Sequence, residues 1–258
     1  MAQHSFIKES ISKAVEKLVI QSTTRVPSDV FQKLEGIREK ETQSPISSSQ
    51  IDLMVENINY GCENEIPICQ DTGLQNFFLQ IGEDFPILTG FEKIFKSVLK
   101  KLTKSAKIRP NTVDPITQQN QGENGGNFMP PTYSKIVENT SDLIITLLNK
   151  GGGSENISKL FMLSAANGFE QFVDKIVDTL EQAGGKPCPP VILGVGLGGD
   201  AVKSMYLAKK SLLRPLGTRN PRKEVAQLEE EILNKLNQRE IGVMGLGGHS
   251  NCLDVRME

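Results

Sequence analysis

Histidine is nearly absent from this 258-residue chain: only His4 and His249 occur. Cysteine is scarce too, with Cys62, Cys69, Cys188 and Cys252 scattered along the sequence. Thiols so few and so spread cannot staple a disulfide scaffold, and a reducing, cytoplasmic location is expected. Neither sign of charge dominates: 29 Lys and Arg stand against 31 Asp and Glu, a net charge of −2. That balance offers no basic face to nucleic acid and no polybasic patch to a membrane. No apolar run approaches the ~18 residues of a membrane-spanning helix. The N-terminal stretch MAQHSFIKESISKAVEKLVI threads charges through its apolar positions and reads as a helix, not a signal peptide.

The remainder is ordinary globular composition, 38% hydrophobic and 23% charged, enough for one large domain or two small ones. Ile7, Ile11, Val15, Leu18 and Val19 recur at helical spacing. A second helix is predicted to open at Pro27-Ser28-Asp29, and a third, SSSQIDLMVENINYG, to end at Gly61. LQNFFLQIG reads as a strand, and Phe91, Ile94, Phe95, Val98 and Leu99 as a helical face. KIRPNTVDPITQQNQGENGGNFMPPTYSK then has no period and is expected to be a long loop, of the kind that carries function or is disordered. DLIITLLNKGGGS follows as a strand, with two helices from about Asn156 to Gln182. GGKPCPPVILGVGLGGD is loop, strand and Gly-rich turn, and two more helices come after it. The expected fold is α+β (mixed α/β): one large domain over 1–258 with an N-terminal helical lobe and Gly-rich strand-to-helix turns. Leu253, Val255 and Met257 alternate as a strand with no turn or cap after it, so the domain is expected to be C-terminally incomplete.

Gly194-Val195-Gly196-Leu197-Gly198-Gly199 matches the dinucleotide fingerprint GxGxxG between a strand and a helix. About 20 residues on, where an acidic ribose partner belongs, stand Thr218, Arg219 and Asn220. The glycines fit close backbone approach or an anion nest better, and Gly245-Leu246-Gly247-Gly248 echoes them. A lone cysteine is ordinarily a small core hydrophobe. Cys69 and Cys188 instead sit in Pro-marked loops, IPICQDTG and KPCPP, which proline rigidifies. Their separation forbids a local zinc knuckle but permits a cluster assembled from distant loops. A nucleophilic thiol would want a nearby histidine, and two histidines make that reading weak.

IPICQDTG, KIRPNTVDP, KGGGS, KPCPP, GVGLGGDAVKSMYLAKKSLLRPLG and IGVMGLGG, in this order, resemble the α subunit of class I iron–sulfur fumarate hydratases and L-tartrate dehydratases over nearly the whole chain. The resemblance implies a 4Fe-4S cluster held by three cysteines, with one iron open to substrate. Cys69 and Cys188 match the first two ligands, and the third is expected beyond residue 258. Cys252 stands where a small packing residue is more usual and is read as packing; Cys62 matches no ligand.

Fumarate hydration places a proton on one carbon and a hydroxide on its neighbour, and an open iron would polarise the hydroxyl. Arg109 resembles the arginine that holds one substrate carboxylate, its guanidinium fork suiting bidentate contact; its alternative is a surface arginine. Gln70 and Asp71 resemble the substrate-facing catalytic pair, with Asp71 a candidate general acid or the cap of an Asx turn, or both. Gly152 would let backbone N–H groups approach the substrate. The resemblance also implies a β subunit that supplies the base and further carboxylate contacts, and hence a hetero-oligomer. Fumarate/malate is favoured over tartrate as the dicarboxylate substrate. A non-catalytic cluster-binding or ligand-binding module is the competing class.

Overall fold

The N-terminal periodicity becomes helix α1 (Ala2–Thr24) in a computed structural model that describes residues 2–39, 41, 44–164, 166 and 168–258. Helices α2 (Ser28–Arg38) and α3 (Pro45–Asn64) follow, then strand β1 (Leu74–Gly82) and helix α4 (Phe91–Lys104). Strands β2 (Thr132–Val137) and β3 (Leu143–Lys150) precede a short helix, α5 (Gly152–Asn156). The remainder is α6 (Phe172–Ala183), β4 (Val191–Val195), α7 (Ala201–Ser211), α8 (Lys223–Asn237) and β5 (Cys252–Met257). The class is α+β. Among the described residues no helix is long and apolar enough to cross a membrane.

The chain divides into two units, one of Met1–Val26 with Asn57–Gly152 and one of Pro27–Glu56 with Gly153–Glu258. The first is built on a mixed sheet of order β2-β1-β3, with β1 parallel to β2 and antiparallel to β3. β1 is buried along most of its length, which fits the Phe, Leu and Ile that mark LQNFFLQIG as a strand, and its amides Gln75 and Asn76 are buried with them. Phe77 of β1 stacks on Phe95 of α4 with ring centroids 4.0 Å apart. Ile11, Val15 and Val19 of α1 close the same core.

In the second unit β4 and β5 pair in parallel. Phe172, Val177, Ile232, Leu236, Val255 and Met257 form its core. β5 is buried at every position, Asp254 and Arg256 included. Ion pairs and backbone contacts make that burial tolerable: Arg219 Nη1 donates to Asp254 Oδ1 at 2.7 Å, and Arg256 Nη1 to the Leu212 carbonyl at 2.6 Å. Glu229, fully buried, pairs with Arg214 and accepts from the Met257 N–H at 2.8 Å.

Three expectations are corrected. Gly61 does not end α3, which runs on to Asn64. It is a packing glycine: a Cβ there would stand 2.6 Å from Ile68 Cγ2 and 2.9 Å from the Ile66 carbonyl oxygen. Of the two helices expected from Asn156 to Gln182, only α6 forms as such among the described residues, which leave out 165 and 167, after a 3-10 turn at Gly168–Gln171. Ser164 turns the chain locally, its Oγ accepting from the Ala166 N–H and its carbonyl from the Gly168 N–H, in competition with a helix. The long loop gives up its end to β2, whose Thr132 and Tyr133 pair with Phe77 and Phe78.

Candidate active site

The segment carrying Cys69 is pinned before it reaches the thiol. The Ile68 N–H donates to the Thr23 carbonyl at the end of α1 at 3.0 Å, and its carbonyl accepts from Asn57 Nδ2 at 2.5 Å. Cys69 then emerges exposed, with the Asp71 N–H 3.4 Å from its sulfur. An N–H directed at sulfur offsets charge on a thiolate.

Asp71 organises what lies behind. Its Oδ1 accepts from the Gly73 N–H and from Asn111 Nδ2, both at 3.0 Å, and its Oδ2 accepts from the Gly152 N–H at 2.7 Å. The Gly73 bond is the Asx turn anticipated at this position. The N–H of Gly152 is therefore spent on Asp71, and a Cβ at Gly151 would stand 3.2 Å from Asp71 Oδ2. Gly151 of KGGGS thus makes room for this carboxylate.

A cleft of about 360 Å³ opens in the first unit, with Cys69, Gln70, Thr72, Ile108 and Arg109 on its walls. Arg109, distant in sequence, thus shares one concavity with the neighbouring pair Cys69, the expected ligand, and Gln70. Arg109 is exposed, but its backbone is fixed: its N–H donates to Thr72 Oγ1 at 3.1 Å, and its carbonyl accepts from Asn124 Nδ2 at 2.8 Å.

Cys188 belongs to the second unit and is exposed, at φ +55°. An L-residue in the left-handed region costs about 1–2 kcal/mol, so the surroundings must impose it. They do so through backbone contacts. The Cys188 N–H donates to the Gly185 carbonyl at 3.0 Å, and the Pro189 carbonyl accepts from the Met244 N–H at 2.7 Å. Gly185 and Gly245 approach so closely that a Cβ on Gly245 would stand 2.5 Å from the Gly185 Cα. A Cβ on Gly153 would stand 2.4 Å from the Lys186 carbonyl oxygen. Both glycine motifs therefore serve backbone packing here. In the first, a Cβ on Gly194 or Gly196 would meet the carbonyls of Ala208 and Ser204 on α7, at 2.2 and 1.9 Å.

The two exposed thiols fit thiolate ligands to a metal cluster. Cys252 does not. It is buried, its Sγ donates to the Asp254 carbonyl at 3.1 Å, and desolvation pushes its thiol up to about 12. Among the described residues no group of three or more His, Cys, Asp or Glu is placed to hold a metal ion. Thr72, Asn111 and Asn124, which tie the cleft together, escape a reading of the sequence. The only signals are the density of amides in the long loop for Asn111 and Asn124, and for Thr72 its place in IPICQDTG.

The sequence model of the family Fumarate hydratase (Fumerase) matches residues 12–258, and the chain belongs to that family. It is 40% identical over 252 residues to a protein of Methanocaldococcus jannaschii provisionally named L(+)-tartrate dehydratase subunit alpha, covering 96% of this chain and 88% of the relative. The L(+)-tartrate dehydratase subunit alpha of Escherichia coli K12 is 30% identical over 248 residues, covering 96% of this chain and 82% of the relative.

Proposed function

We propose that this chain is the α subunit of a two-subunit hydro-lyase that adds water reversibly to fumarate, giving L-malate. The observation that carries the reading is the meeting of Cys69, Gln70 and Arg109 on one cleft in a member of the fumarate hydratase family. On this reading Arg109 grips one substrate carboxylate with its guanidinium fork, and Gln70 offers its amide to the substrate beside it. Cys69 and Cys188 are the two thiolates this chain contributes to a 4Fe-4S cluster, which when bound supplies a Lewis acid for the hydroxyl at an open iron.

Asp71 has two duties. It holds Gly152, Gly73 and Asn111 around the Cys69 loop, and it delivers the proton to the neighbouring carbon. A carboxylate has about four lone-pair sites, so the second duty uses one that the Gly73, Asn111 and Gly152 donors leave open. The catalytic base comes from a β subunit, and the assembly is a cytoplasmic hetero-oligomer; the designation "subunit alpha" of the relatives supports the partner. Their naming as tartrate dehydratases favours a second reading, dehydration of L-tartrate, for which the same groups would serve.

The test is anaerobic reconstitution of the chain with its β subunit, followed by EPR of the reduced cluster with and without L-malate or L-tartrate. A spectrum that shifts with malate, with turnover to fumarate, is expected. A shift and turnover with tartrate alone would move the assignment to the second reading. A cluster indifferent to both acids would leave a non-catalytic module. Cys69→Ser and Cys188→Ser should each lose iron while Cys252→Val retains it; a cluster in either Ser variant removes that cysteine from the ligand set.

A further inference from the structure

Arg109 lies in no helix or strand, and it is followed by Pro110, which has no N–H to give. Its place is decided instead by side chains of other segments. Thr72 takes its N–H, and Asn124 takes its carbonyl. Asn124 is 1% exposed, and its polar atoms are engaged three times. Nδ2 donates to the Arg109 carbonyl at 2.8 Å and to Thr103 Oγ1 at 3.0 Å, while Oδ1 accepts from the Asn111 N–H at 2.8 Å. One buried amide therefore grips the chain on both sides of Pro110. Thr103 is itself anchored in the last turn of α4, its hydroxyl donating to the Leu99 carbonyl at 2.7 Å. Asn111 carries the connection onward to Asp71 and to the Gly73 carbonyl. The side chain at 124 thus ties the Arg109 backbone to a helix on one side and to the Cys69 loop on the other.

We propose that Asn124 is a positioning residue for substrate: it sets where the Arg109 guanidinium stands relative to the Cys69 sulfur across the cleft. The substrate half of this statement rests on the proposed function; the geometric half does not. Without Asn124, residues 109–111 lose two of the bonds that register them. The part-buried Asn111 N–H and Arg109 carbonyl also lose a partner, which drives a local shift toward water. A small displacement of a carboxylate clamp weakens binding out of proportion to its size.

The geometric half is tested on the full chain without cluster, by alkylating Cys69 with iodoacetate and with iodoacetamide and reading the modified peptide by mass spectrometry. Iodoacetate carries a carboxylate that a nearby guanidinium attracts, and iodoacetamide does not. Arg109→Ala should lower the iodoacetate-to-iodoacetamide rate ratio about fivefold. Asn124→Ala should lower it nearly as far, and the double variant no further, as coupling through one group requires. Should Asn124→Ala fail to fold by circular dichroism, Asn124→Ser, whose hydroxyl can meet one of the orphaned groups, carries the same cycle. An unchanged ratio in a folded Asn124 variant overturns the proposal, as does an unchanged ratio in Arg109→Ala.

In the reconstituted two-subunit enzyme, Asn124→Ser should raise KM about tenfold with kcat within about twofold, the mark of lost substrate binding. A fall in kcat at constant KM would overturn the substrate half. If the wild-type enzyme turns over neither acid while the alkylation cycle behaves as stated, the proposed function fails and the positioning stands.

Discussion

Replacing Asp71 by Asn changes one heavy atom and removes a charge at the point where three segments of the first unit meet. The carboxylate accepts from Gly73 and Asn111 on Oδ1 and from Gly152 on Oδ2. An asparagine must turn its NH2 toward one of these sides. Facing Gly152 sacrifices one bond; facing Gly73 and Asn111 sacrifices two. The first orientation wins, leaving the Gly152 N–H opposite another donor. A hydrogen bond to a charged group contributes ~1.5–3 kcal/mol and a neutral one ~0.5–1.5. Losing one of the former and reducing two others to neutral strength gives ~3.5–6 kcal/mol before solvent is counted. Asp71 is only half-buried, so water restores part of this, and ~2 kcal/mol remains. The loss should show locally as roughly 30-fold faster amide hydrogen exchange at Gly152, followed by mass spectrometry at neutral pH. Unchanged protection at Gly152 in Asp71→Asn would refute the claim that this carboxylate organises the KGGGS turn.

Cys188→Gly should stabilise the second unit by ~1 kcal/mol relative to Cys188→Ala, read from urea midpoints, because glycine carries no Cβ penalty at positive φ. Equal midpoints would mean that the loop relaxes instead of holding residue 188 at φ +55°. Burial raises the Cys252 thiol to about 12 in the folded chain, against ~8.5 when unfolded. Its contribution is therefore complete at neutral pH and is lost as pH rises from about 9 toward 12, since the unfolded state sheds the proton first. The stability difference between wild type and Cys252→Val should shift against the wild type by up to ~1.4 kcal/mol per pH unit in that window; a pH-independent difference would contradict the burial. Gly196→Ala drives a methyl to 1.9 Å from the Ser204 carbonyl and should cost at least ~3 kcal/mol or prevent folding, whereas a stable, soluble variant would show that α7 can move off β4.

The helices and strands that were legible in the sequence are those whose apolar spacing mirrors one continuous buried face. α4 is the clearest, with Phe91, Phe95, Val98, Leu99 and Leu102 all turned to the core. β1 was legible because residues on both its faces are buried. Gly61 misled because a glycine near a helix end serves equally as a cap or as space for a crossing chain. Only the return of Ile66 and Ile68 past it distinguishes the two. Asp254 and Arg256 sit at the polar positions of an alternating strand, where exposure is the natural inference. The partners that allow their burial, Arg219 and the Leu212 carbonyl, come from a loop and a helix end far back in the chain.

The sequence by itself determined the α+β class, the family, and the loops on which Cys69 and Cys188 stand, because proline, glycine and residue spacing act on the backbone locally. It also marked Cys252 as a packing residue. Tertiary structure alone decided that Arg109 joins Cys69 and Gln70 on one cleft, that the Gly152 N–H is taken by Asp71, and that the long amide-rich loop sends Asn124 back to hold Arg109. A hydrogen bond carries no sequence period. The partner of a buried amide is set by where the chain returns in space, and only the packed core fixes that return.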